Sequence, residues 1–233
     1  MDMDVGALFG SFGRSYLFVI AAVLPIINPA AVAPIFLTLT EGADVGTRVS
    51  LAKRIATNSF MLMLGVLLVG SYVLDFFGIS LPIVRLGGGL IVAASAWRLL
   101  TASQDTSDHR EALAQAFTPE QAQRQGFFPL TFPITCGPGS ISAIITVGVT
   151  LHDGRTSFGM ANALGGAAAL ASLAALIYLA YRYAQQILRP LGEAGMLVFT
   201  RLSAFILLCL GIQIMWDGTS ELLRGVLTLQ VRM

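Results

Sequence analysis

The residues able to do chemistry in this chain are small and polar rather than charged, and they gather at two places. The first is Leu24-Pro25-Ile26-Ile27-Asn28-Pro29-Ala30-Ala31-Val32-Ala33-Pro34. The second is Thr131-Phe132-Pro133-Ile134-Thr135-Cys136-Gly137-Pro138-Gly139-Ser140. Both lie inside runs apolar enough to cross a membrane. Proline removes a backbone donor and clashes with the preceding turn. In lipid, a freed backbone group costs several kcal/mol unless protein or water satisfies it. Each stretch is therefore predicted to be a broken helix facing the protein interior. A broken helix exposes its own ends: N–H groups on a favourable dipole suit an anion, and the carbonyls of the preceding half accept from a cation. Interrupted segments in matching halves are the sequence pointer to a transporter binding site.

The types at each break fit that chemistry. Pro29 suits the first helical position, where its missing N–H is not needed, and Asn28 then falls at the cap. Ala30 and Ala31 follow. At the second break Gly137, Pro138, Gly139 and Ser140 open the second half-helix. Glycine lets a ligand approach the backbone, and Ser140 is read either as a cap or as a donor to a substrate oxygen. Thr131 and Thr135 are read as ligand contacts or as hydroxyls bonded back to their own helix. Alanine and glycine leave room for a small substrate but no large apolar pocket. The bland alternative for both breaks is a kink packed by neighbouring helices.

Composition frames these stretches. The chain has 233 residues, 55% hydrophobic and 12% charged, with mean hydropathy +0.77. Soluble domains carry about 25% charged residues, so this is a polytopic, all-α membrane protein. A net charge of +1 makes no electrostatic case for nucleic acid. Cys136 and Cys209 lie in apolar spans and read as small buried hydrophobes rather than a disulfide framework. The acidic start, Met1-Asp2-Met3-Asp4, is unlike a cleaved signal, and the first span is expected to be retained.

Six spans of about 20 residues are predicted, at residues 16–39, 55–77, 81–100, 126–149, 158–181 and 196–215, the last with 223 as its outer limit. The first and fourth are broken. A polar loop links the third to the fourth, with room for a surface helix at 111–117. Arg48, Lys53, Arg54, Arg98, Arg110, Arg124, Arg182 and Arg189 fall on one side. Arg14, Arg85, Arg155, Arg224 and Arg232 fall on the other. The positive-inside rule then places both termini outside and the loop at 102–125 in the cytoplasm. Pro25 pairs with Pro133, Asn58 with Asn162 and Arg85 with Arg201, in the same order and at similar offsets. Three spans per half force the second half to insert upside down. The expected organisation is a 3+3 inverted repeat, 1–101 and 126–233, joined by 102–125. Asn58 and Asn162 are read as interhelical hydrogen bonds or as supports for unwound backbone. Arg85 and Arg201 are read as snorkelling or as gating groups. The small residues of the fifth span and Gly87-Gly88-Gly89 are read as close helix packing, with a homo-oligomer contact left open.

Asn28-Pro29 with Pro34-Ile35-Phe36-Leu37-Thr38-Leu39-Thr40 resembles the signature of the MarC family of prokaryotic inner-membrane proteins. So do Pro133-Ile134-Thr135-Cys136-Gly137-Pro138-Gly139 and the closing stretch from Arg201-Leu202 to Gln213-Ile214-Met215-Trp216-Asp217-Gly218. The resemblance covers nearly the whole chain. It implies an inner-membrane transporter of small neutral amino acids such as glycine and alanine, more loosely grouped with LysE-type exporters. Two breaks meeting at the midplane would supply both ends of a zwitterion without a fixed charge.

No carboxylate sits at a span centre, nor does His109 or His152. Coupling to H⁺ or Na⁺ would then run through Asp75 or Asp217 near the outer face, through backbone carbonyls, or through the substrate; uniport is also open. No cofactor is implied. An intramembrane enzyme is disfavoured, because no His-Glu-x-x-His motif and no acid for a catalytic pair is present. Export of another small polar metabolite or drug, and a structural membrane role, complete the alternatives.

Overall fold

The computed structural model describes residues 5–40, 43–101, 126–152 and 159–230. The central loop, with the surface helix expected at 111–117, lies outside the described residues.

Proline decides where the first helix stops. Helix α1 (Val5–Ile27) ends where Asn28 donates its N–H to the Leu24 carbonyl at 2.9 Å. Pro29 cannot continue that ladder and instead opens α2 (Pro29–Leu39). Helix α3 (Val45–Phe77) starts at Asp44, whose carboxylate accepts from Thr47 N–H at 3.1 Å and ends at Gly78, where φ is 65°. Helix α4 (Leu81–Thr101) follows. After residue 126 come a π-helical turn (Leu130–Thr135), α5 (Pro138–His152), α6 (Gly159–Arg182), the short α7 (Ala184–Leu188) and α8 (Gly192–Gln230). The Phe128–Pro129 and Phe132–Pro133 peptide bonds are cis.

The spans expected at 16, 55 and 196 begin earlier, at Val5, Val45 and Gly192. Arg14, Arg48, Lys53 and Arg54 interrupt the apolar pattern but not the helix. A helix of 33 residues such as α3 is about 50 Å long against a hydrocarbon core of about 30 Å, so charged turns stand outside the bilayer. Among the described residues, four segments are long and apolar enough to cross it: Leu8–Leu37, Val45–Phe77, Gly159–Arg182 and Leu197–Gly225. Helix α5, with 15 residues, is shorter, and α4, with 21, is of spanning length.

The helices form two bodies. One is a bundle whose core joins Val19, Val23 and Ile27 of α1, Ile55, Met63 and Leu67 of α3, Ile144 of α5 and Leu170, Leu173 and Ile177 of α6. The other is the antiparallel pair α4 and α8, which contributes nothing to that core. Between apolar helices in lipid there is no hydrophobic drive, so close packing carries the contact. A Cβ on Gly89 would lie 2.7 Å from the Gly211 carbonyl oxygen. One on Gly211 would lie 2.6 Å from Ala93 N, and one on Gly218 2.6 Å from Pro82 O. Arg85 and Glu221 close one end of the pair with a 2.5 Å ion pair. Trp97 and Trp216 are exposed towards its opposite ends, where amphipathic rings sit at bilayer interfaces. Cys136 is buried as expected; Cys209 instead lies on the exposed face of α8, because α8 turns that face away from α4.

Gly211→Val places side-chain carbon against backbone that no rotamer relieves. It is expected to destabilise by about 1–3 kcal/mol, read as a lower unfolding temperature in detergent. Gly87→Ala, with nothing within 4 Å, is expected to leave that temperature unchanged.

Candidate functional site

At the first break Asn28 has φ 40°, a region that Asn enters more readily than most residues. Its side-chain oxygen accepts from Ala31 N–H at 3.3 Å, and its backbone carbonyl accepts from Ala31 and Val32 at 3.0 and 3.2 Å. Asn28 is thus the cap of α2 and Pro29 its first residue. At the second break Phe132 is extended (φ −122°, ψ 127°). Cys136 N–H reaches back five residues to Thr131 O at 2.8 Å, and Pro138 opens α5. Both half-helices therefore begin with proline, after Asn28 in one and Gly137 in the other. The N–H groups of Ala30, Gly139 and Ser140 and the carbonyls of Pro25, Ile26 and Ile27 have no hydrogen-bond partner among the described residues.

The two breaks share one cavity of about 610 Å³, between the bundle and the α4–α8 pair. Asn28, Ala31, Thr135, Gly137, Pro138 and Gly139 line it, as do Ile26, Ile27, Val32 and Ile35. Helix α4 adds Ile91, Val92, Ser95 and Arg98; α8 adds Thr200, Ser203, Ala204 and Leu207. The wall is more apolar than the small residues at the breaks led us to expect, because most of its apolar side chains come from the flanking helices. Ile91, Ser95 and Arg98 are exposed, so the cavity is open along this face of α4, its C-terminal end included.

Other expected site residues lie outside the cavity wall. Thr131 is fully buried, with its hydroxyl on Gly126 O at 2.6 Å. Ser140 donates to Gly137 O at 2.8 Å and does not cap α5. Pro29 is buried and Ala30 exposed. Gly139 lines the cavity, but a Cβ there would meet Val92 Cγ2 at 1.9 Å; the glycine is required by packing on α4. Asn162 makes the interhelical bond read from sequence, accepting from Ser15 Oγ at 3.0 Å. Asn58 is half-buried and makes no side-chain hydrogen bond among the described residues. Arg85 is paired with Glu221 and Arg201 is exposed; neither lines the cavity.

Tyr181 was not read from the sequence. It stacks on Phe36 with ring centroids 4.7 Å apart and meets Thr135 Oγ1 at 2.8 Å, bracing the second break against α2 and α6. Arg98 was read only as a topology signal. Ile91, Ser95 and Arg98 are spaced four and three apart, so they share a helix face; that spacing was the available clue. Among the described residues, no Asp, Glu or His lines the cavity, and no group of three His, Cys, Asp or Glu gathers as a metal site.

The profile of the MarC family integral membrane proteins matches residues 13–223. The chain belongs to the MarC family. It is 29% identical to the inner membrane protein MarC of Escherichia coli K12 and to that of Shigella flexneri. Each match runs over 207 residues, 88% of this chain and 94% of the relative. No solved structure resembles the chain significantly. With its apolar spanning helices, this MarC-family chain is a multi-pass inner-membrane protein.

Asn28→Ala removes the cap and puts alanine at positive φ, and is expected to cost about 0.5–2 kcal/mol. Asn28→Gly tolerates that φ and is expected to cost a few tenths. Thermal unfolding of the two purified variants checks this order.

Proposed function

We propose that this protein is a carrier, not an enzyme, which moves small neutral amino acids by alternating access. The observation that carries the reading is a cavity lined by both helix breaks. Its residues bring together the free N–H of Gly139, suited to a carboxylate, and the free carbonyls of Ile26 and Ile27, suited to an ammonium, with no carboxylate side chain among the described residues that line it. A volume of about 610 Å³ lies within the ordinary range of small-molecule sites.

In this reading the chain crosses the membrane six times as a 3+3 inverted repeat. The first span is α1 with α2, and the fourth is the π-turn with α5. The packing supports it: α1 meets α6 as α3 meets α5, and the third spans of each half, α4 and α8, meet each other. Both termini are outside, and the cavity opens towards the cytoplasm. The glycine-locked α4–α8 pair rocks against the bundle, closing the Arg98 end and opening the other. The apolar wall favours a second reading, export of another metabolite or drug; competition between alanine and larger solutes separates the two.

Purified protein in proteoliposomes is expected to take up labelled glycine or alanine saturably. Imposing a proton or a Na⁺ gradient in turn assigns the coupling. Asn28→Gly, which keeps the fold but loses the amide at the cavity, is expected to lower the rate by roughly 2- to 10-fold, the worth of one hydrogen bond. Absence of amino-acid movement under either gradient sinks the reading.

A further inference from the structure

We infer that Arg98 is the anion-binding group of this cavity, and that the solutes it admits must carry a carboxylate. The proposal deepens the transport reading by assigning a fixed charge to a site otherwise built from neutral backbone. Four observations carry it. Arg98 lines the cavity and is the one charged residue among the described residues that do so. It is exposed at the open end of α4, where an entering solute meets it. Among the described residues its charge has no partner: the ion pair there joins Arg85 and Glu221, and Arg98 makes no hydrogen bond or ion pair with any of them. The two arginines of α4 thus differ, one pinning the helix pair and the other unpaired among the described residues. Finally, Gly139, whose N–H takes no partner among the described residues at the N-terminus of α5, lines the same cavity and adds partial positive charge.

A guanidinium presents a planar fork of donors that matches a carboxylate in two parallel hydrogen bonds. Among the described residues of the cavity wall, an ammonium finds carbonyl and hydroxyl oxygens and no carboxylate. The combination accepts a carboxylate with or without an ammonium, and rejects a cation that lacks a carboxylate. Arg98 is therefore a specificity-determining residue.

The test is calorimetric titration of the full-length protein in detergent with three probes: alanine, propionate and alaninamide. Alanine and propionate are expected to bind, and alaninamide is not. Arg98→Gln is expected to weaken both carboxylates by about 10- to 100-fold, the worth of a charged hydrogen bond, with an unchanged unfolding temperature. Arg98→Lys is expected to recover part of the loss, because it restores the charge without the fork. Arginine-selective dicarbonyl labelling of the wild-type protein gives a readout independent of variant folding: alanine and propionate are expected to protect Arg98. The proposal is overturned if neither carboxylate binds the wild type, if binding to Arg98→Gln is equal, if alaninamide binds as tightly as the carboxylates, or if neither carboxylate blocks the labelling. If propionate binds and protects Arg98 while alanine is neither bound nor moved, the anion site stands and the amino-acid reading falls.

Discussion

Everything in this structure follows from backbone groups that proline leaves unpaired inside a membrane. A continuous helix satisfies its own N–H and C=O groups, which is why it can sit in lipid. Pro29 and Pro138 deny that at two points, and Pro133 adds a third loss. The chain answers with local devices. Asn28 turns its side-chain oxygen onto Ala31 N–H. Thr131 and Thr135 put their hydroxyls on Gly126 and Leu130 carbonyls at 2.6 and 2.7 Å. Tyr181 then ties Thr135 to α6. The groups left over belong to residues in or beside the cavity, the place in the fold where a solute or water can meet them.

The breaks alone do not make a site; two bodies facing each other do. The bundle is held by a continuous apolar core, and the α4–α8 pair by backbone contact through Gly89, Gly211 and Gly218. Between them the contact is local but close: Ser142 Oγ donates to Val84 O at 2.9 Å, and a Cβ on Gly139 or Gly88 would lie 1.9 Å from Val92 Cγ2 or 2.5 Å from Ser142 Cβ. That interface is made mainly by α5 against α4. The cavity lies along it.

Much of this was legible in the residues. Asn-Pro and Gly-Pro-Gly in apolar runs announce a break because no other element tolerates them in lipid. The family resemblance rested on the same motifs, and the family match runs across them. Helix ends were legible less well, because Arg14, Arg48, Lys53 and Arg54 are excluded from an apolar window yet sit comfortably in a helix leaving the bilayer. Thr131 and Ser140 illustrate a second limit. A hydroxyl's partner depends on the local turn, and both turned onto their own backbone.

The sequence by itself determined an all-helical membrane chain with two proline-driven breaks, since composition and proline chemistry act locally; its inner-membrane location rested on the family resemblance. Only the tertiary structure decided that the breaks face one cavity, that its wall is largely apolar, and that Arg98 enters it while Arg85 pairs with Glu221. The reason is physical: which face of α4 meets α8 and which meets the bundle is set by contacts between residues far apart in the chain, Gly211 on Ala93 and Gly139 on Val92 among them, and no local pattern encodes that pairing.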